Sequence, residues 1–311
     1  METIGSPLLW GGFLAFVALM LALDLGVFHK KAHAVGFKEA AIWSAVWVSL
    51  SLLFNAGLAW KFGSTRGVEF LTGYLLEKSL SIDNVFVFIV IFSTLKIPGP
   101  SQHRVLFWGI LAALVLRAVM IFAGAALLTR FHWLIYVFGA FLIFTGVQLY
   151  RQWRSGADEG SKLIKLAYKY VPSTPHLHGE HFFTIENGRR LATPLFMALV
   201  LVELSDVVFA LDSIPAIFAV TTDPFIVFTS NIFAILGLRS LYFLLSGMVD
   251  KFHYLKPSLA GVLLFVGTKM ALADVVKLPS WVSLLVIAGL LGAGVAASLR
   301  WAPRPAPHHP A

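Results

Sequence analysis

Acidic side chains inside apolar segments are the residues of this chain whose chemistry most needs an explanation. The six acids of this kind are Asp24, Glu77, Asp83, Glu203, Asp206 and Asp212. An ionisable group near the centre of a bilayer costs roughly 2.5–3.5 kcal/mol on insertion scales, so such groups mark ion pathways. The same segments hold four bases: Lys78, Arg117, Arg239 and Lys269. The excess of negative charge predicts a site for a cation.

Helical spacing brings several oxygen-bearing side chains together. Glu77 and Asn84 share one helix face at i and i+7, with Asp83 on an adjacent face, and Glu203 and Asp206 begin one stripe of a later helix. Carboxylate, amide and carbonyl oxygens suit a hard divalent cation such as Mg²⁺, Ca²⁺ or Mn²⁺. The chain has no Cys and no buried span histidine that would favour Zn²⁺ or Cu⁺.

A proline near Asp212 predicts a break in that later helix. Pro215 lacks an N–H group and clashes with the carbonyl of Leu211, so the helix should kink or open around Asp212 and Ser213. An opened turn would add backbone carbonyls beside the carboxylate. In a continuous helix, Asp212 lies on a different side from Asp206.

Structural ion pairs are an alternative role for these charges. Asp83 would pair with Arg117 and Asp206 with Arg239, as contacts between neighbouring helices. This interpretation does not account for the excess of acids over bases. We therefore expect both arginines to be structural, or counter-charges that occupy the site when the cation leaves. Asp24, near the end of its segment, is either interfacial or part of the site.

The composition is that of a polytopic membrane protein. Of 311 residues, 58% are hydrophobic and 13% are charged, with a mean hydropathy of +0.82. So few charges could not cover the surface of a soluble domain. We predict an all-α fold with about nine transmembrane helices: Leu8–Phe28, Phe37–Trp60, Glu69–Leu95, His103–Thr129, His132–Tyr150, Pro194–Val220, Pro224–Met248, Pro257–Val276 and Trp281–Arg300.

The distribution of Lys and Arg predicts the orientation. With the N-terminus outside, 16 of the 24 basic residues fall in inside loops, 4 fall outside and the rest lie within spans. This bias predicts an N-out, C-in protein of the bacterial inner membrane. The net charge of +8 then reflects loop charge, and no nucleic-acid partner is expected.

Matched motifs predict two inverted three-helix repeats, spans 3–5 and spans 6–8. The offsets are 123 from Asp83 to Asp206, 122 from Arg117 to Arg239 and 121 from Gly146 to Gly267. An offset of 129 would instead pair Glu77 with Asp206, but the other helices do not support it. The predicted divisions are the first two helices (1–68), repeat one (69–150), a cytoplasmic loop with a hairpin (151–193), repeat two (194–276), the last helix (277–301) and a disordered tail (302–311).

No motif for enzymatic chemistry is present in the sequence. It lacks GxGxxG, P-loop and HExxH patterns, and no histidine base lies near the span serines, so we predict neither an enzyme nor a permanent cofactor. A histidine cluster lies in the cytoplasmic loop: His176, His178, Glu180 and His181. It is either a metal sensor or, as we favour, a solvated loop.

Three long motifs resemble the TerC family of integral membrane proteins. They are EKSLSIDNVFVF (Glu77–Phe88), VELSDVVFALDSIPAIFAV (Val202–Val220) and SNIFAILGLRSLYFLL (Ser230–Leu245). The resemblance runs from about Leu21 to Asp274 and is strongest to Alx-type members, which are linked to manganese export. It implies a Mn²⁺ exporter whose functional positions are Asp24, Glu77, Asp83, Asn84, Glu203, Asp206 and Asp212.

Two functions follow as hypotheses. The first is export of a hard divalent cation, Mn²⁺ by resemblance, with protons as a candidate counter-ion because they compete for the same carboxylates. The second is a membrane scaffold or assembly factor in metal handling or tellurite-type stress resistance. The partners expected are the lipid bilayer and the cation, and a second copy of the chain, in a homo-oligomer, is a further candidate.

Overall fold

The computed structural model describes most of the chain. The described residues are 3–28, 36–131, 133–155, 172–186, 188–246, 253–275 and 278–301, excluding the side chains of 24–28, 83 and 86. The predicted disordered tail (302–311), part of the predicted cytoplasmic loop (156–171) and the side chains of Asp24 and Asp83 lie outside this set.

Ten helices and one β-hairpin make up the described part of the chain. The helices are α1 (Pro7–Phe28), α2 (Phe37–Phe62), α3 (Ser64–Thr94), α4 (Gly99–Arg130), α5 (Leu134–Ser155), α6 (Pro194–Phe218), α7 (Pro224–Leu236), α8 (Leu238–Ser246), α9 (Leu255–Ala271) and α10 (Ser280–Arg300). Proline stands in the first turn of α4, α6 and α7, where its missing N–H costs no helical hydrogen bond. The fold is all-α apart from the hairpin.

The helices are those of a membrane protein. Among the described residues, five are long and apolar enough to cross a bilayer, namely α2, α4, α5, α6 and α10. The broken pair α7–α8 adds a sixth if it is counted as one span. The count of nine spans and the N-out, C-in orientation stay predictions.

The helix break lies at a different place from the one predicted. The sequence predicts a kink or an opening at Asp212 and Ser213; α6 stays helical through Pro215 to Phe218, so the opening is wrong, and the kink stays a prediction. The predicted span Pro224–Met248 is instead interrupted at Gly237, where α7 and α8 meet at 41°.

α3 is the central helix of the bundle. It packs against α2, α6, α7, α8 and α10, while α4 packs against α6 and α7 on a neighbouring side. Buried phenylalanines, among them Phe70, Phe225 and Phe233, fill the space between these helices. This arrangement points polar side chains of α3, α4, α6 and α7 toward a common interior.

α5 and α9 form an antiparallel pair that crosses at small residues. A Cβ atom on Gly267 would lie 2.7 Å from the carbonyl oxygen of Gly139, and one on Gly146 would lie 3.1 Å from that of Ala260. Glycine therefore allows backbone contact between the two helices, as is common in membrane bundles.

We expect Gly267→Ala to lower the free energy of unfolding by about 1–3 kcal/mol, because the new methyl group overpacks this crossing. Thermal denaturation of the detergent-solubilised protein measures the effect. Gly292→Ala is the matched control, since a Cβ there meets nothing within 4 Å. Equal thermal shifts in the two variants would contradict a tight α5–α9 crossing.

The hairpin lies between α5 and α6, in the stretch predicted from the sequence. β1 (Phe183–Glu186) pairs antiparallel with β2 (Arg189–Ala192), with Glu186 opposite Arg189. Gly188 has a φ of 73°, which glycine adopts without steric cost, whereas the other turn residue, Asn187, is outside the described set.

Candidate functional site

A buried guanidinium joins two carboxylates in the interior of the bundle. Arg117 of α4 donates from Nη1 to the carboxylate of Glu77 on α3. It also donates from Nη2 and Nε to the two oxygens of Asp206 on α6, at 2.6 and 3.0 Å. Glu77 and Arg117 are each 1% exposed and Asp206 is 3% exposed. The Asp206 contact is therefore a bidentate pair held out of solvent.

Two buried amides complete this network. Asn84 of α3 donates to Asp206 Oδ1 at 3.2 Å. Asn231 of α7 donates to Glu77 Oε2 at 3.0 Å and accepts from Arg117 Nη1 at 3.2 Å. We call Glu77, Asn84, Arg117, Asp206 and Asn231 the central network. With two carboxylates and one guanidinium, it carries a formal charge of −1 and presents oxygen ligands from three helices.

Glu203 lies one helical turn before Asp206 and adjoins the central network. Neither of its buried carboxylate oxygens has a hydrogen-bond partner among the described residues. Gly109 of α4 makes room for this carboxylate, since a Cβ there would lie 3.3 Å from Glu203 Oε1. A cavity of about 10 Å³, bordered by Glu203 and Asp206, has room for about one water molecule. This position suits a water molecule or a cation.

Lys78 stabilises the break between α7 and α8. Its Nζ donates to the carbonyl oxygen of Ala234 at 3.4 Å, in the last turn of α7. A Cβ on Gly237 would lie 2.7 Å from this ammonium, so glycine leaves the space that Lys78 occupies. A cation at a helix carboxyl end interacts favourably with the helix dipole. Lys78 thus holds the end of the helix that carries Asn231.

Asp212 is separated from the central network. It lies on α6 opposite α5 and borders a different cavity, lined also by Gln148 and Leu263. A separation of six residues places Asp206 and Asp212 on different sides of a continuous helix. Of the predicted acidic positions, the structure joins Glu77 to Asp206, places Glu203 beside them and places Asp212 elsewhere.

The predicted alternative of two ion pairs needs correction. It assigned Arg117 to Asp83 and Arg239 to Asp206, but the guanidinium that holds Asp206 is that of Arg117. The physical reason is that α4 packs against α6, so Arg117 points at Asp206 directly. Arg239 lies at the start of α8 and is 5% exposed.

The loop histidines form polar contacts of their own. His178 Nε2 lies 2.9 Å from Glu186 Oε1, and this contact, with a hydrogen bond from Thr174, lowers the pKa of Glu186. Arg104 lies 3.5 Å from Glu180. Across the described ranges, no group of three His, Asp or Glu side chains is arranged to hold a metal ion. The same holds for Glu77, Glu203 and Asp206, so neither the loop histidines nor these three carboxylates form a preassembled metal site.

The family of the chain follows from comparison with known proteins. A family model described as Integral membrane protein TerC family matches residues 62–306, which include every residue of the central network. The chain belongs to the TerC family. As a TerC protein it is an integral membrane protein, in agreement with its long apolar helices.

Curated relatives of this TerC protein extend over nearly its whole length. An "Uncharacterized membrane protein STKORF319" of Myxococcus xanthus is 69% identical and covers 96% of this chain and 95% of its own. A "Putative membrane-bound redox modulator Alx" of Escherichia coli (strain K12) is 52% identical over 94% of each chain. An "Uncharacterized membrane protein" of Rickettsia bellii is 44% identical and covers 93% of this chain and 96% of its own. No solved structure matches the chain.

Two residues, Asn231 in the central network and Lys78, which adjoins the network in sequence, were not identified as site residues from the sequence. Asn231 lies within the family motif that begins at Ser230, and its amide in an otherwise apolar helix was the available signal. Lys78 directly follows Glu77, but the sequence indicated only that it is a basic residue within an apolar segment. Its role depends on the carbonyl of Ala234, which is 156 residues away in the chain.

Proposed function

We propose that this TerC protein exports a hard divalent cation, Mn²⁺ by family resemblance, through the central network. The observation that supports this most is the buried arrangement of Glu77, Arg117 and Asp206. Burying two carboxylates and one guanidinium in an apolar bundle costs free energy, so a functional role is expected of them. Their net negative charge favours the binding of a cation. Asn84, Asn231 and Glu203 add the oxygen ligands that hard cations prefer.

Arg117 acts as the counter-charge of the cation-free state in this proposal. Its guanidinium neutralises part of the carboxylate charge while no cation is bound. An incoming cation competes for Glu77 and Asp206 and displaces the guanidinium. Protons compete for the same oxygens, so a proton gradient is the candidate driving force. The protein then needs neither an enzymatic step nor a permanent cofactor.

The inverted repeat is part of the proposal and rests on the matched motifs of the sequence, whose offsets lie between 121 and 123 residues. Inverted repeats allow a site to face each side of the membrane in turn.

The test is uptake of radiolabelled Mn²⁺ by inverted membrane vesicles, whose exposed face is the cytoplasmic one. We expect uptake to depend on the chain and on an imposed proton gradient, and unlabelled Mg²⁺ and Ca²⁺ measure the selectivity. Vesicles without the chain are the control. Uptake that is equal in the two preparations would overturn the export function and favour the scaffold or assembly role in metal handling.

Several relatives are named as redox modulators, and the composition of this chain limits how such a role could operate. It contains no cysteine, so it has no thiol or disulfide of its own to exchange. An effect of this chain on cellular redox state would then follow indirectly, through the metal that it moves.

A further inference from the structure

One face of the β-hairpin presents apolar and basic side chains together. Ile185 lies opposite Arg190 in the register of the strands, so both side chains stand on the same face as that of Phe183. Ile185 is 76% exposed, Phe183 is 39% exposed and Arg190 is exposed as well. The guanidinium of Arg190 lies over the Phe183 ring, 4.5 Å from the ring centroid. We call Phe183, Ile185 and Arg190 the hairpin face.

The opposite face of the hairpin packs against the loop that precedes it. The carboxylate of Glu186 accepts a hydrogen bond from Thr174 at 3.0 Å and lies 2.9 Å from His178 Nε2. Thr184 stands on the same side of the hairpin as Glu186 and is half-buried. The hairpin is therefore docked with this side inward, which leaves the hairpin face directed outward.

The hairpin lies directly at the end of a helix that can span the membrane. Only Thr193 separates β2 from α6, and its backbone nitrogen donates to the carbonyl oxygen of Phe182 at 3.0 Å. The Phe183 ring packs on that of Phe196 in the first turn of α6, with 4.5 Å between the centroids. Since the end of a spanning helix lies near the lipid headgroups, the hairpin face lies at that level too.

The outer surface of α6 continues the hairpin face toward the membrane interior. Phe196, Val200 and Leu204 are spaced by four residues, which keeps them on one broad side of the helix. Leu204 is 40% exposed and Leu211, on the same side, is 49% exposed. Exposed leucines of a spanning helix face lipid. The hairpin face is therefore continuous with a lipid-facing surface.

The charge of the hairpin complements that of anionic lipid. Arg189 and Arg190 belong to the basic residues that predict the cytoplasmic side, and both are exposed. Among the described residues, neither arginine forms an ion pair with a carboxylate. The cytoplasmic leaflet has a negative surface potential that attracts basic segments close to the membrane. Guanidinium groups also bind phosphate through charge-assisted hydrogen bonds.

We propose that the hairpin face, together with Arg189 at the turn, is a binding surface for anionic phospholipid headgroups of the cytoplasmic leaflet. Ile185 enters the boundary between headgroups and acyl chains, and Arg189 and Arg190 bind the lipid phosphates. The partner is a lipid with a net negative phosphodiester headgroup, such as phosphatidylglycerol. The surface anchors the segment that leads into α6, the helix that carries Glu203 and Asp206.

Quenching by spin-labelled lipid tests the surface, because the native chain has no cysteine and each introduced thiol is unique. Ile185→Cys is labelled with bimane in the full chain and placed in nanodiscs whose lipids include some with a nitroxide on the headgroup. Thr184→Cys is the matched control, since Thr184 is the neighbouring strand residue on the opposite side of the hairpin. We expect several-fold stronger quenching at position 185 than at position 184. Equal quenching would overturn the membrane contact.

Lipid composition tests the preference for anionic headgroups. We expect stronger quenching at position 185 in nanodiscs that contain phosphatidylglycerol than in nanodiscs of neutral phosphatidylcholine. Arg189→Gln with Arg190→Gln should remove this difference, whereas Arg189→Lys with Arg190→Lys, which keeps both charges, should preserve it. Quenching that is the same in the two lipids, or that responds equally in the Gln and Lys variants, would overturn headgroup binding.

A second copy of the chain is the other candidate occupant of the hairpin face. In that case quenching by the lipid nitroxide stays low at position 185, and the bimane emission there changes with the number of chains per nanodisc. That result would overturn lipid binding in favour of self-association. None of these measurements requires transport, so the outcome is independent of the proposed export function.

Discussion

Asp206→Asn is expected to abolish Mn²⁺ uptake into inverted vesicles. The change keeps the size of the side chain but brings the formal charge of the central network from −1 to zero. One charge pair at about 4 Å is worth about 4 kcal/mol at an effective dielectric constant of 20. That energy corresponds to about a thousandfold loss of cation affinity. Initial uptake rates at equal protein levels measure the effect.

Asp274→Asn is the matched control for Asp206→Asn. Asp274 is an exposed carboxylate just after α9, where it accepts a hydrogen bond from Tyr136, so the same charge is removed outside the network. We expect this variant to retain uptake. Wild-type uptake by Asp206→Asn would show that Asp206 is structural and is not a cation ligand.

Arg117→Gln is expected to lower the amount of folded protein sharply. It leaves Glu77 and Asp206 buried with no guanidinium between them, and the loss of one partner from a buried ion pair costs roughly 3–5 kcal/mol in soluble proteins. The double variant Arg117→Gln with Asp206→Asn restores the charge of −1, carried by Glu77. We therefore expect the double variant to regain part of the lost stability, since one buried carboxylate instead of two now lacks the guanidinium.

Transport in the double variant decides between a structural pair and a cation site. If Asp206 is a ligand, the double variant folds but stays inactive, because the second carboxylate is still missing. Thermal stability in detergent and Mn²⁺ uptake are measured on the same preparations. Restored uptake in the double variant would show that Asp206 serves Arg117 and that the cation is held elsewhere.

Much of the candidate site could be predicted from residue types alone. Carboxylates inside apolar helices are costly wherever the helices pack, so Glu77, Glu203 and Asp206 stand out before any contact is known. The long family motifs likewise identify the TerC family. In the same way, the Asn-Gly pair between Glu186 and Arg189 predicts the hairpin, because turn conformation is a local property.

The helix break is a case in which local reasoning chose the wrong residue. Pro215 is the stronger local signal, yet α6 continues past it, and the break occurs at Gly237. The ammonium of Lys78, brought by α3, occupies the space beside this glycine and donates to the carbonyl of Ala234 in the last turn of α7. The bend therefore coincides with a contact between segments that are distant in the chain.

The sequence by itself determined that this is a helical membrane protein with excess negative charge in its spans, because apolarity and charge belong to the residues. Only the tertiary structure decided which charges meet. Arg117 reaches Glu77 and Asp206 because α4 packs beside α3 and α6, and Asn231 joins them from α7. Asp212, only six residues after Asp206, faces a different cavity. Partner choice depends on which helix faces are buried together, and that is set by packing between segments far apart in the chain.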